Sequence, residues 1–167
     1  MRITLVCLGN ICRSPTAATV LAEQAAAAGL DWTITSAGTA SWHVGKPMDH
    51  RSARTLSEHG YDPSRHRAQQ FDPDWYDTHD LVLAMDSDNL ADLRALPGGN
   101  QAYDRATLRR YRDFDPTGAG DVPDPYYGDA DGFEAVLAMV ERTTDALLDR
   151  FGNGIDSLSS SDSRETS

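Results

Sequence analysis

The sequence predicts an α/β protein of three layers, a four-stranded parallel sheet flanked by helices, and three observations lead there. Short apolar runs alternate with helical patterns along the chain, which is the signature of a parallel sheet with helices on both sides. The first and third of those runs are almost unbroken in hydrophobicity, as strands covered on both faces require. The chain of 167 residues, 40% of them hydrophobic, is one domain's worth of material and long enough to bury a real core.

Taken in order, Ile3 to Cys7 reads as the first strand, followed by a helix over Pro15 to Ala28 that Gly29 closes. Thr33 to Ser36 is the second strand, and Pro47 to His59 the helix after it, closed by Gly60. Asp80 to Met85 is the third strand. Ser87 to Leu96 follows as a helix, stopped by Pro97-Gly98-Gly99. The fourth strand, about Thr107 to Tyr111, is polar and the weakest of the set. The last helix gathers Phe133, Val136, Leu137, Val140, Leu147, Leu148 and Phe151 largely on one face, with Asp131 and Glu134 as a capping box and Gly152 at its end. Residues 1–152 form the expected domain. The Ser-, Asp- and Gly-rich segment 153–167 has almost nothing to bury and is expected to be disordered.

Charge and composition exclude several classes. A net charge of −11 argues against a nucleic-acid partner, which needs clustered Lys and Arg. No window approaches roughly 18 consecutive apolar residues, so no transmembrane helix or membrane partner is expected. The N-terminus is too short an apolar run for a signal peptide, so a cytoplasmic location follows. Two cysteines, Cys7 and Cys12, are neither a disulfide scaffold nor, without a nearby His, a good zinc site, so no metal and no cofactor are implied.

Parallel sheets bind ligands at the carboxyl ends of their strands, and the first such end is Cys7-Leu8-Gly9-Asn10-Ile11-Cys12-Arg13-Ser14-Pro15. Gly9 and Asn10 tolerate left-handed backbone angles, so the chain can curl tightly and turn successive N–H groups inward as a nest for an anion. Ser14 fits a helix N-cap and Pro15 the first helical position, so a helix starts at the nest and aims its positive end into it. A cysteine in such surroundings titrates below its free value of about 8.5, reaching roughly 3.5–7.5. Cys7 would therefore sit in the cradle as a thiolate, with Ser14 able to donate to it. The planar fork of Arg13 matches two phosphate oxygens. The bland alternative, an ordinary strand-to-helix turn with an incidental Cys and Arg, does not account for the whole string.

Expelling a phenolic oxygen, whose conjugate acid has a pKa of about 10, calls for a proton donor. The candidate is Asp124 in Asp121-Val122-Pro123-Asp124-Pro125-Tyr126-Tyr127-Gly128, where two prolines restrict the backbone on either side. Asp113, Asp115 and Asp121 are local rivals without that frame. Tyr126 and Tyr127 offer flat apolar walls for a substrate ring. Trp42, in a loop of small residues after the second strand, is either a core anchor or a pocket rim opposite Tyr126. His43 and His66 read as loop and structural residues.

These strings resemble those of a known family. Val6 to Ala17 looks like the signature of the low-molecular-weight protein tyrosine phosphatases, and Ser36-Ala37-Gly38-Thr39, Trp42-His43-Val44-Gly45, Ala84-Met85-Asp86 and Asp124 to Gly128 fall in the family's order. The resemblance spans roughly Arg2 to Phe151 and is nearest to actinobacterial members. It implies a flavodoxin-like fold, no metal, and a phosphocysteine intermediate on Cys7. It also implies Arg13 as phosphate ligand and Asp124 as general acid and later base. Leu8, Gly9, Asn10, Ile11, Cys12 and Ser14 would line the phosphate loop, with Asn10, Ser14 and Ser36 in a supporting hydrogen-bond network. Cys12 matches a cysteine that forms a reversible disulfide with the nucleophile. Tyr126 and Tyr127 match tyrosines that kinases modify in some members. The implied partners are phosphotyrosine-containing proteins and a tyrosine kinase.

Three other readings share these residues. An arsenate reductase of the same fold relays a disulfide through further cysteines, and this chain has none after Cys12. A phosphoarginine phosphatase resembles this chain but carries Thr where Ile11 stands. A phosphate-binding or thiol-redox sensor would have no need of a proton donor such as Asp124.

Overall fold

The computed structural model describes residues 1–152, so the expectation of a disordered 153–167 segment falls outside the described residues. Four strands, β1 (Arg2–Cys7), β2 (Thr33–Gly38), β3 (Leu81–Ala84) and β4 (Leu108–Arg110), form one sheet in the order β2-β1-β3-β4. Every pairing is parallel, with Ile3 opposite Ile34 on one side and Leu81 on the other. The apolar runs of β1 and β3 occupy the two central positions, where both faces must be covered.

Side-chain alternation along these strands divides the core into two. Ile3, Leu5, Leu81 and Leu83 point to one face, where α1 (Arg13–Ala27) and α5 (Ala130–Phe151) cover them with Val20, Leu21, Val136, Leu137, Val140 and Leu147. Leu56 of α2 (His50–Glu58) joins the same cluster. Val6, Val82 and Ala84 point to the other face, under α3 (Ser87–Arg94), α4 (Gly99–Asp104) and a 3-10 turn at Pro73–Asp77. Tyr111, fully buried, satisfies its hydroxyl by donating to Val140 O at 3.1 Å, which ties the end of β4 to α5. No helix among the described residues is long and apolar enough to cross a membrane.

The departures from expectation have identifiable causes. Helix α1 begins at Arg13 with Cys12 as its N-cap and no side-chain cap bond, so Ser14 is not the N-cap. Its hydroxyl is engaged with Cys7 and Asn10 instead. Pro15 remains tolerated because the first-turn N–H groups have no intrahelical partner. Helix α2 starts three residues later than expected, because Lys46 O and Asp49 N are bonded to Ala68 N and Ile11 O, and the Asp49 carboxylate caps Arg51 N at 2.9 Å. The Asp131–Glu134 capping box does not form. Asp129 is the N-cap, and the Glu134 carboxylate meets His59 Nε2 at 2.9 Å. Helix α4 is an unexpected element. Gly98 at φ 83° reverses the chain, and a Cβ on Gly99 would lie 2.2 Å from Leu93 O, so the glycine pair that reads as a stop lets a second helix pack directly on the first.

Replacing Leu83, fully buried between β1 and β4, tests this core. We expect Leu83→Ala to cost about 2–5 kcal/mol in urea unfolding with an unchanged dependence on denaturant, whereas a cost below about 1 kcal/mol would mean that the layer is not packed as described.

Candidate active site

The site is built where β1 ends and α1 begins. Asn10 sits there at φ 58°, a left-handed conformation that its short side chain tolerates. Its side chain makes the reversal durable. Nδ2 donates to Ser14 Oγ at 2.8 Å and to Ser36 Oγ at 3.0 Å, and Oδ1 accepts from Gln69 N at 3.0 Å. The Asn10 carbonyl accepts from His66 Nε2 at 2.7 Å. Burial, the leading influence, lowers the pKa of His66, which therefore serves at neutral pH as an uncharged donor. The curl brings Asn10 N to 3.2 Å from Cys7 Sγ, and Ser14 Oγ lies 3.0 Å from the same sulfur.

Five of the loop carbonyls are committed elsewhere. Cys7 O accepts from Thr39 N, Leu8 O from Ala40 N, Ile11 O from Asp49 N, and Cys12 O from Thr16 N and Thr16 Oγ1. With the Asn10 carbonyl held by His66, the acceptors of residues 7, 8, 10, 11 and 12 face donors outside the loop. With those acceptors engaged outside and the Asn10 N–H turned to Cys7 Sγ, the loop is suited to an oxyanion.

Arg13 is 4% exposed, and its guanidinium is fixed from the carboxyl end of β3. Nη1 donates to Asp86 Oδ2 at 2.5 Å and to Val122 O at 3.0 Å, while Nη2 stands 3.7 Å from Asp124 Oδ2. Burial works against the charge of Arg13, but the bond to Asp86 and the neighbouring Cys7, Asp86 and Asp124 outweigh it and hold its pKa above the ordinary value. Cys12 is the opposite case. Burial first, then the nearby Asp49, raise its thiol to about 12, so it is neutral at any physiological pH.

A cavity of about 150 Å³ opens over this loop, lined by residues 7–13 and by Trp42, His43, Asp124, Tyr126 and Tyr127. The structure thus brings Cys7, Leu8, Gly9, Asn10, Ile11, Cys12, Arg13, Trp42, Asp124, Tyr126 and Tyr127 around one space, from segments up to 120 residues apart in the chain. Ser14 and Ser36 lie behind the loop on Asn10 rather than in the cavity wall. Trp42, 68% exposed, is a rim residue and not a core anchor. Tyr127 is 92% exposed, and Tyr126 is steadied by the Arg51 guanidinium 5.3 Å from its ring centroid. The rivals of Asp124 are engaged elsewhere: Asp113 with Arg110, Asp115 with Arg112 and Arg142, Asp121 with Ser87. Among the described residues no cluster of three or more His, Cys, Asp or Glu is placed to hold a metal ion.

Sequence reasoning gave no role to Asp86, Gln69 or the Val122 carbonyl, yet each fixes a residue of the site. Asp86 was within reach of it, since it follows the third strand at the end where parallel sheets bind. The other two act through backbone atoms and leave no mark in residue type.

Comparison with known proteins is consistent across sequence and structure. A family model described as low molecular weight phosphotyrosine protein phosphatase matches residues 2–157. A low molecular weight protein-tyrosine-phosphatase of Streptomyces coelicolor is 45% identical over 152 residues, covering 88% of this chain and 91% of that protein. A low molecular weight protein-tyrosine phosphatase A of Mycobacterium tuberculosis is 43% identical over 154 residues, covering 89% and 90%. Among solved structures, a protein tyrosine phosphatase from Entamoeba histolytica with Hepes in its active site has a TM-score of 0.81 at 32% identity, over 90% of this chain and 96% of that one.

The contrast between the two thiols is open to measurement. Iodoacetamide at pH 7 should modify Cys7, which lines the cavity, and leave the neutral, buried Cys12 intact by peptide mass mapping, with Cys7→Ser resisting modification. Equal labelling of both cysteines would contradict the environment described for Cys12.

Proposed function

The chain belongs to the low molecular weight phosphotyrosine protein phosphatase family and is a protein-tyrosine phosphatase; on that premise we propose that it hydrolyses phosphotyrosine in proteins through a phosphocysteine on Cys7. The observation that carries this reading is the convergence on one cavity of the Cys7 sulfur, the Arg13 guanidinium and the Asp124 carboxyl.

In the first half-reaction Cys7 Sγ, as thiolate, attacks phosphorus in line with the tyrosyl oxygen. An S–P bond forms, the P–O(aryl) bond breaks, and Asp124 delivers its proton to the departing phenolate. The inward-facing amides of residues 8–13 and the fork of Arg13 hold the equatorial oxygens, where charge is spread in the transition state. In the second half-reaction Asp124, now a carboxylate, takes a proton from water. The water oxygen bonds to phosphorus, the S–P bond breaks, and inorganic phosphate leaves. Ser14, 3.0 Å from Sγ, and the Asn10 amide, 3.2 Å away, stabilise the sulfur as leaving group in this step. Trp42, Tyr126 and Tyr127 provide the apolar walls that favour an aryl ester, and Ile11 narrows the loop side of the cavity.

Two regulatory readings belong to the same proposal. Cys12 stands in the same loop as Cys7, and a Cys7–Cys12 disulfide would shield the nucleophile from irreversible oxidation by peroxide. The exposure of Tyr127 supports its modification by a tyrosine kinase, and the phosphate added there would stand beside the cavity it regulates.

Turnover of a phosphotyrosine peptide in the presence of a chelator is the direct test, with phosphoserine, phosphoarginine and arsenate alongside. Cys7→Ser should abolish it, and retained turnover would end the phosphocysteine mechanism. Asp124→Asn should lower kcat/KM for a poor phenol leaving group by about 10²–10⁴ while inhibition by phosphate stays nearly unchanged. An undiminished rate would assign the proton to another group. After mild peroxide and then thiol, wild type should recover activity and Cys12→Ser should not. Equal recovery would remove the protective role.

A further inference from the structure

The segment that carries Asp124 has two unlike halves. From Pro123 to Gly128 the hydrogen bonds are short-range, Tyr126 N to Asp124 Oδ1 and Gly128 N to Pro125 O, both 3.0 Å. Apart from the 3.7 Å pair with Arg13 and the Arg51 contact on Tyr126, what sets the place of Asp124 over the loop is where the preceding residues are fixed. Those residues, 115–122, are held by a charged clamp. The Asp115 side chain has no exposed surface and accepts five bonds, from Thr117 N and Oγ1 at 2.9 and 2.8 Å, from Arg142 Nε and Nη2 at 2.8 Å each, and from Arg112 Nε at 3.0 Å. Arg142, on α5, thereby ties Asp115 to the long helix.

Seated on that carboxylate, Arg112 reaches forward with its two remaining nitrogens. Nη1 donates to Asp121 O at 2.9 Å and Nη2 to Gly118 O at 3.1 Å. The chain lies flat across the guanidinium between those points, since a Cβ on Gly120 would come within 2.9 Å of Nη1 and 3.4 Å of Cζ. On the other side the Asp121 carboxylate accepts from Ser87 N and Oγ, and Val122 N bonds to Met85 O at the end of β3. The next residue but one is Asp124.

We infer that Arg112 is a positioning residue for the reaction, clamping the carbonyls of Gly118 and Asp121 on the buried Asp115 so that Asp124 is delivered at a fixed place over the phosphate loop. The inference rests on the proposed role of Asp124 as proton donor and extends it to a residue that touches neither substrate nor sulfur. It requires an arginine. A lysine can pair with Asp115 as a point charge but lacks the planar fork that spans one carboxylate and two carbonyls. Displacing a reacting group by about 1 Å can cost as much as 10²-fold in rate, and the loss falls only on the step that uses the displaced group.

The test compares kcat/KM on two esters, phenyl phosphate, whose leaving group needs a proton, and 2,4-dinitrophenyl phosphate, whose leaving group does not. Arg112→Ala and Arg112→Lys should lose about tenfold or more on phenyl phosphate, less than about twofold on the dinitrophenyl ester, and keep the inhibition constant for phosphate. Gly120→Ala, which leaves every side chain of the clamp in place and pushes on the Arg112 guanidinium, should move in the same direction and serves if the Arg112 variants do not fold. Equal losses on both esters, or none, from a folded variant would overturn the inference. Asp124→Asn measured in parallel separates the two ideas. If it discriminates between the esters and the clamp variants do not, only the clamp fails, whereas if it does not discriminate, the proton-donor reading fails first.

Discussion

The reversal of the backbone at Asn10 is the constraint on which the site depends. An unsupported left-handed asparagine is a costly conformation, and here it is over-determined by Ser14, Ser36, Gln69 and His66, which arrive from α1, β2 and the loop after α2. The same residue delivers an N–H to the Cys7 sulfur. Ser14 touches the sulfur directly, whereas Ser36, Gln69 and His66 act on it through Asn10. Five loop carbonyls are drawn outward to Thr39, Ala40, Asp49, Thr16 and His66, which takes their negative ends away from the concave side. A phosphate cradle of this kind is made as much by where its acceptors are sent as by where its donors point.

Most of the architecture was legible because parallel sheets leave a strong imprint. The unbroken apolar runs of β1 and β3 mark central strands, and Gly29 and Gly60 end their helices as read. The strings around Cys7 and Asp124 announced a site because they put reactive types next to residues with restricted or permissive backbones. What sequence hid was of two kinds. Some elements depend on packing, as with α4, where Gly98 and Gly99 read as a terminator yet permit a helix–helix approach that any side chain would block. Other features depend on competition between hydrogen bonds. Ser14 has the composition of an N-cap, but the sulfur and Asn10 claim its hydroxyl. Glu134 has the spacing of a capping box, but His59 claims its carboxylate. Residue type states what a group can do, and only the fold decides which partner it meets.

Electrostatics here is local. The chain as a whole carries a charge of −11, and the cavity has a carboxylate, Asp124, in its lining. The loop is nevertheless suited to an anion, because amides and one buried guanidinium act at short range, where distant surface charge is screened within about 10 Å at ordinary ionic strength. Asp86 is essential to that balance. Burying Arg13 without a partner would carry a penalty of several kcal/mol, and the bond from Nη1 to Asp86 offsets it while leaving the other edge of the guanidinium directed to the cavity.

That other edge already has company. Nη2 of Arg13 lies 3.7 Å from Asp124, so two of the groups that share the cavity with the sulfur are already paired with each other. An oxyanion entering the cradle takes over a guanidinium edge from a carboxylate, and its net gain is the difference between two ion pairs rather than the whole of one. On the proposed reading, a small inorganic anion, which brings charge and nothing else, has only that difference to bind with. On the proposed reading, an ester with an aromatic body adds contact with Trp42 and Tyr126 that an inorganic anion cannot offer, so preference among ligands falls to the organic part.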